Sequence, residues 1–175
     1  MTQAAQSRVF VDGNNVMGSR PDGWWRDRAD AARRLVADII PLATRHGGAW
    51  TIVFDGKEPP AMPPSPECLT AIHTGHRRRD GADDRIEELV REHPNRAALL
   101  VYTSDTKLRS RVKALGAQVM GSGTLLRQLA PLRGPKGPTD TGHPHDSAKD
   151  AGRDHRVDAN RPAVRTGETR NRERM

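Results

Sequence analysis

The chain has little of several things, and each shortage excludes something. Cys68 is the single cysteine, so no internal disulfide can form and a reducing compartment is expected. No run of about 18 apolar residues occurs, which excludes a transmembrane helix. Met1 to Ser7 shows no basic segment followed by an apolar one, so no secretory leader is expected there. The expected location is the cytoplasm, with no membrane partner. Hydrophobic residues make up 34% of the 175 residues, low for a chain folded throughout, so part of it is expected to stay outside any core. Aromatic residues are only 3%, so Trp24 and Trp25 are expected to provide at least one core anchor before any base-stacking platform. Cys68, beside Leu69-Thr70-Ala71-Ile72, reads as a small core residue rather than a nucleophile.

What the chain does have is positive charge. Its 29 Lys and Arg against 22 Asp and Glu give a net charge of +7, a balance that attracts polyanions, of which nucleic acid is the commonest. An arginine-rich coding bias would also produce such a balance, so charge alone does not decide.

Apolar runs alternate with helical periodicity. Val9-Phe10-Val11 leads into Asp12-Gly13-Asn14-Asn15, which reads as a buried strand followed by a tight turn. Ala29, Ala32, Leu35, Val36, Ile39, Ile40 and Ala43 recur at helical spacing, with Pro41 expected to kink or break the last turn and Gly47-Gly48 to close it. Ala49 to Asp55 is a second strand, and Lys57 to Pro66, with five prolines in ten residues, an irregular loop. Glu67 to Thr74 predicts a short third strand and Ala82 to Val90 a helix. Ala97 to Asp105 predicts a fourth strand, followed by a helix carrying Leu108, Val112 and Leu115 inward. Gln118 to Met120 predicts a fifth strand and Thr124 to Ala130 a last helix. Alternating strands and helices imply an α/β fold, a mostly parallel sheet of four to five strands between helical layers. From Pro131 large apolar residues almost vanish. The expected organisation is one domain over 7–130 and a disordered basic tail over 131–175.

Asp12, Asp55 and Asp105 each close a predicted strand, and in a parallel sheet they leave the same edge. Asp83 and Asp84 open the helix that follows the third strand. Acids in a first helical turn are also favoured by the helix dipole, by about 0.3–1 kcal/mol, without any metal. That does not explain why three strands end in aspartate. Clustered carboxylates raise one another's pKa, and a divalent cation relieves the repulsion; an all-oxygen set suits Mg²⁺ or Mn²⁺.

Val11-Asp12-Gly13-Asn14-Asn15-Val16, Val53-Phe54-Asp55-Gly56, Gly81-Ala82-Asp83-Asp84-Arg85-Ile86-Glu87 and Thr103-Ser104-Asp105 resemble, in order, the motifs of the YacP-like NYN domain. That family is a branch of the PIN-like nuclease superfamily, and the resemblance spans about Arg8 to Ala130. It implies a PIN-like three-layer sandwich and a metal-dependent ribonuclease that hydrolyses RNA phosphodiester bonds. By position it implies Asp12, Asp83 and Asp105 as metal-site acids, with Asn15 as the polar partner of the first. Asp55 ranks lower as a fourth metal-site acid, and Asp84 is expected to be a solvated neighbour. One departure is the basic tail, which the family pattern does not require.

Basic residues border these acids in the sequence. Arg77, Arg78 and Arg79 precede the acidic helix, and Lys107 and Arg109 follow Asp105, so both groups are candidates for phosphate contact. Ser104 has no histidine pattern beside it and suits orientation of a ligand better than nucleophilic attack. Two other functions remain open at this point: a non-catalytic RNA-binding module of the same fold, and a small-nucleotide phosphohydrolase.

Overall fold

A computed structural model describes residues 8–75 and 81–132. Of the expected disordered tail over 131–175, Pro131 and Leu132 are described, in a 3₁₀ turn, and the rest, like the Arg77-Arg78-Arg79 run, lies outside the described residues. In chain order the elements are β1 (Arg8–Asp12), α1 (Gly13–Gly18), α2 (Arg28–His46), β2 (Ala49–Phe54), β3 (Leu69–His73), α3 (Gly81–Glu92), β4 (Leu99–Tyr102), α4 (Thr106–Ala114), β5 (Gln118–Met120) and α5 (Ser122–Leu129). The strands form one five-stranded sheet in the order β3-β2-β1-β4-β5, and every pairing is parallel.

Central β1 is buried from Val9 to Asp12, which is why it reads as a continuous apolar run rather than an alternating one. The strands at the edges are short, at five and three residues, which limits edge-to-edge pairing. One face of the sheet packs Val11, Ile52, Phe54 and Tyr102 against Val16 of α1, Leu35, Val36 and Ile39 of α2, and Leu125 and Leu129 of α5. The other packs Phe10, Val53, Leu99 and Val101 against Ile86 and Val90 of α3 and Leu108 and Val112 of α4. The result is the three-layer α/β architecture read from the sequence.

Several local expectations need correction. The tight turn after Asp12 is a six-residue helix: Asp12 caps it by accepting from the Asn15 N–H, and Val16 and Met17 on it are buried. α2 is not broken at Pro41 but runs on to His46, because Leu42 and Ala43 beyond the proline are buried against the sheet. The exposed Pro41 only removes one helical N–H, and the Gly47 N–H closes the helix on the Ala43 carbonyl. The fourth strand is shorter than expected: Arg96–Ala98 form a 3₁₀ turn, and Thr103 to Asp105 follow the end of the strand, the Thr103 N–H still donating to the Met120 carbonyl of β5. The last helix begins two residues earlier than predicted and is followed by a 3₁₀ turn over Ala130–Leu132, whose Leu132 packs on the core. Cys68 and Trp24 pack partly buried against that core, while Trp25 is exposed.

From β1 the chain moves outward through β2 to β3, then crosses back to β4 on the other side of β1. The strand order therefore reverses between β1 and β4. In open parallel sheets the crevice beyond the carboxyl ends at such a point is where ligands are bound.

Candidate active site

Asp12 stands at that crevice and is only 3% exposed. One of its oxygens accepts from the Asn15 N–H at 3.1 Å and the other from the Thr103 hydroxyl at 2.8 Å. The Thr103 hydroxyl in turn accepts from the Asp105 N–H at 3.1 Å, so one side chain ties the ends of β1 and β4 together. Asp105 is the N-cap of α4 and accepts from the Leu108 N–H at 2.8 Å. Asp105 and Asp55 thus stand just past their strands rather than within them.

Asn15 is anchored by its carbonyl, which accepts from the Ser104 N–H at 2.7 Å and from the Ser122 hydroxyl. Those two donors fix the orientation of the amide, and its Nδ2 hydrogens have no hydrogen-bond partner among the described residues. Ser104 also accepts from the Ser122 N–H at 3.0 Å, so it joins the starts of α4 and α5 as a positioning residue.

Asp55 has both oxygens committed. One accepts from the Ala82 N–H at 2.7 Å and so caps α3, while the other accepts from Asn14 Nδ2 at 3.0 Å. The approach is close on both sides of it. A Cβ at Gly13 would lie 2.5 Å from the Phe54 ring, and one at Gly81 2.7 Å from the Thr74 hydroxyl, so neither position admits a larger residue without displacement.

Asp83, one residue into α3 from the capped Ala82, faces the other three acids. Burial first, then the charges of Asp12 and Asp105, push its pKa up to about 6; Arg111 opposes the rise and Asp55 adds to it. Burial also raises the pKa of Asp12, against the lowering hydrogen bonds from Asn15 and Thr103, with Asp55 and Asp105 adding to the rise. The sheet edge therefore concentrates more negative charge than its surroundings neutralise.

Partial neutralisation comes from Arg111 on α4. Its guanidinium lies 3.4 Å from Asp83, 3.2 Å from Asp84 and 2.8 Å from Glu87. Asp84 is thus half-exposed but ion-paired, not merely solvated. Arg111 was not singled out by sequence, although Leu108, Arg111, Val112 and Leu115 share one helical face and the pattern could have placed it at the α3 boundary. Thr103 was legible only as part of a motif, since its role depends on the β1–β4 register. Lys107 is exposed on the first turn of α4, and Arg109, half-buried, brings its guanidinium beside Gly121.

The chemistry of the donors fits a hard divalent cation, being all carboxylate oxygen, with two acids raised by burial and mutual repulsion. Among the described residues, no three His, Cys, Asp or Glu side chains are arranged to hold a metal ion as they stand. The described helices are also too short or too polar to cross a membrane.

A five-stranded parallel sheet with four acids at its switch point defines a three-layer α/β domain with an acidic sheet edge. The model of the YacP-like NYN domain matches residues 9–159, and the chain belongs to that family. Two crystal structures of Rae1 (YacP) from Bacillus subtilis share the fold at 24% identity: the protein itself, with a TM-score of 0.60, and a single-residue variant of it, with a TM-score of 0.59. These alignments cover 71% and 72% of this chain and 74% and 76% of theirs. No curated protein sequence matches the chain.

Proposed function

We propose that the domain is a divalent-metal-dependent ribonuclease whose metal site is made by Asp12, Asp83 and Asp105. The observation that carries this reading is the unneutralised acid cluster, in which burial and neighbouring carboxylates hold Asp83 up at about 6. Such repulsion costs the fold stability, and a bound cation would relieve it. Family membership supports the same reading, and so does the basic character of the chain.

Bound Mg²⁺ or Mn²⁺ would supply positive charge at the scissile phosphate and make water more acidic. The protein's own groups do the rest. Thr103 and Asn15 hold the Asp12 carboxylate in one orientation. The unpartnered Nδ2 hydrogens of Asn15 donate to a phosphate oxygen, and Lys107 and Arg109 at the rim of α4 hold flanking phosphates. Arg111 offsets part of the charge of Asp83, Asp84 and Glu87, so the acids remain together before a cation arrives. Asp55 serves as a structural clamp, one oxygen capping α3 and the other holding Asn14. Hydrolysis adds the water oxygen to phosphorus and breaks the P–O3′ bond. It leaves a 5′-phosphate, with the departing 3′-oxygen taking a proton to become a hydroxyl.

The test is 5′-labelled single-stranded RNA incubated with purified protein and Mn²⁺, then with EDTA. Fragments ending in a 3′-hydroxyl that vanish with EDTA support the proposal. RNA bound but never cut favours a binding module, and hydrolysis of mononucleotides alone favours a phosphohydrolase.

A further inference from the structure

Beside the acid cluster, on the side of Asp55, a second concave site opens between the start of α2, the end of β2 and the loop after it. The cavity measures about 370 Å³, within the roughly 300–1,000 Å³ range of small-ligand pockets. Its apolar lining comes from Met17, Ala29 and Phe54. Arg28 and Lys57, both exposed, bring positive charge to it. His73, from the end of β3, closes one side. The Asn14–Asp55 hydrogen bond forms part of the wall, so the cavity adjoins the residues next to the catalytic acids.

His73 is the informative residue. Its ring lies nearly parallel to that of Phe54, 4.9 Å between centroids and 12° between planes. Both ring nitrogens are shielded from bulk water, and neither has a hydrogen-bond partner among the described residues. Burial lowers its pKa from 6.5, with Glu58 opposing, so at neutral pH the ring is uncharged and offers one donor and one acceptor. Phe54 belongs to the core, whereas the donor–acceptor pair of His73 is unused among the described residues, and orphaned buried polar atoms call for an explanation.

We propose that this cavity is a nucleobase subsite, in which an unstacked RNA base lies against the His73 ring, backed by Phe54, while Arg28 and Lys57 hold the adjoining phosphate. Single-stranded RNA is recognised in this way elsewhere, by stacking bases on aromatic rings and pairing their edges with side chains. The inference rests on the ribonuclease reading, because it takes the base from the strand whose backbone reaches the acid cluster. It assigns specificity to a region the metal-site acids do not touch.

The experiment follows the His73 imidazole resonances by NMR in the full chain without metal, where no cleavage occurs. Single-stranded RNA, a nucleoside 5′-monophosphate and ribose 5-phosphate are added separately. The expected result is a His73 shift with the RNA and the nucleotide but not with ribose 5-phosphate. A companion variant, Ala29→Trp, fills the cavity from α2. It should weaken binding of RNA about tenfold and remove the preference for that RNA over one made abasic at the contacted position. If His73 is silent toward RNA that the protein nevertheless cuts with Mn²⁺, the subsite is overturned and the ribonuclease reading stands. If His73 is silent and no RNA is cut, both fall. A shift that ribose 5-phosphate reproduces marks the cavity as a phosphate site and overturns the base assignment.

Discussion

Asp55 and Asp83 stand at the same sheet edge and belong to neighbouring elements, yet they are held in opposite ways. Asp55 spends one oxygen on the Ala82 N–H and the other on Asn14, at 2.7 and 3.0 Å. Asp83 has a single ion-pair contact, 3.4 Å from Arg111, and burial, followed by the charges of three other carboxylates, pushes its pKa up to about 6. A strand-end aspartate is therefore not by itself a sign of chemistry. What sets Asp83 apart is charge that one arginine only partly offsets, and that is the charge a cation would relieve.

Activity should separate the two most sharply. Asp12→Asn and Asp83→Asn each keep shape while removing a charge the cation needs, and RNA cleavage should fall roughly 100-fold or more in single-turnover assays. Asp55→Ala should instead be felt in the fold. Losing the cap of α3 and the bond to Asn14 should lower stability by about 1–3 kcal/mol, read from urea denaturation. Cleavage by the folded fraction should stay within a few-fold. Equal activity losses at Asp55 and Asp83 would erase the distinction.

pH sharpens it further. In the metal-free protein the folded chain holds the Asp83 proton up to about pH 6, whereas the unfolded chain releases it near 3.8. The stability that this group contributes is therefore present in full below about pH 4 and lost as pH rises through about 6. Asp83→Asn should remove that decline and raise metal-free stability at pH 7 on the order of 1 kcal/mol, once solvent screening is allowed for. Denaturation curves at both pH values, on both proteins, check it. Asp84→Asn should have the smallest effect, a few tenths of a kcal/mol and little change in cleavage, because its pair with Arg111 is half-exposed.

Much of this arrangement is legible in the residues themselves. β1 and β2 are apolar runs that end at or beside an acid, and the alternation of strands with helices predicts a parallel sheet whose edge gathers those acids. Three features escape. Gly13-Asn14-Asn15 has turn composition, and only the Asp12 cap with burial of Val16 and Met17 makes it helical. Pro41 argues for a break, but tertiary packing of Leu42 and Ala43 overrides that local preference. Thr103 and Arg111 act across the sheet edge and between helices, and no spacing in one segment encodes a contact whose partner lies 91 or 28 positions away.

The central claim is that Asp12, Asp83 and Asp105 form one cation site, and calorimetric titration of Mn²⁺ tests it most directly. The wild type should bind, Asp84→Asn should bind alike, and Asp→Asn changes at the three acids should each weaken or abolish binding. Undiminished binding in those three variants, or none to the wild type, would contradict it.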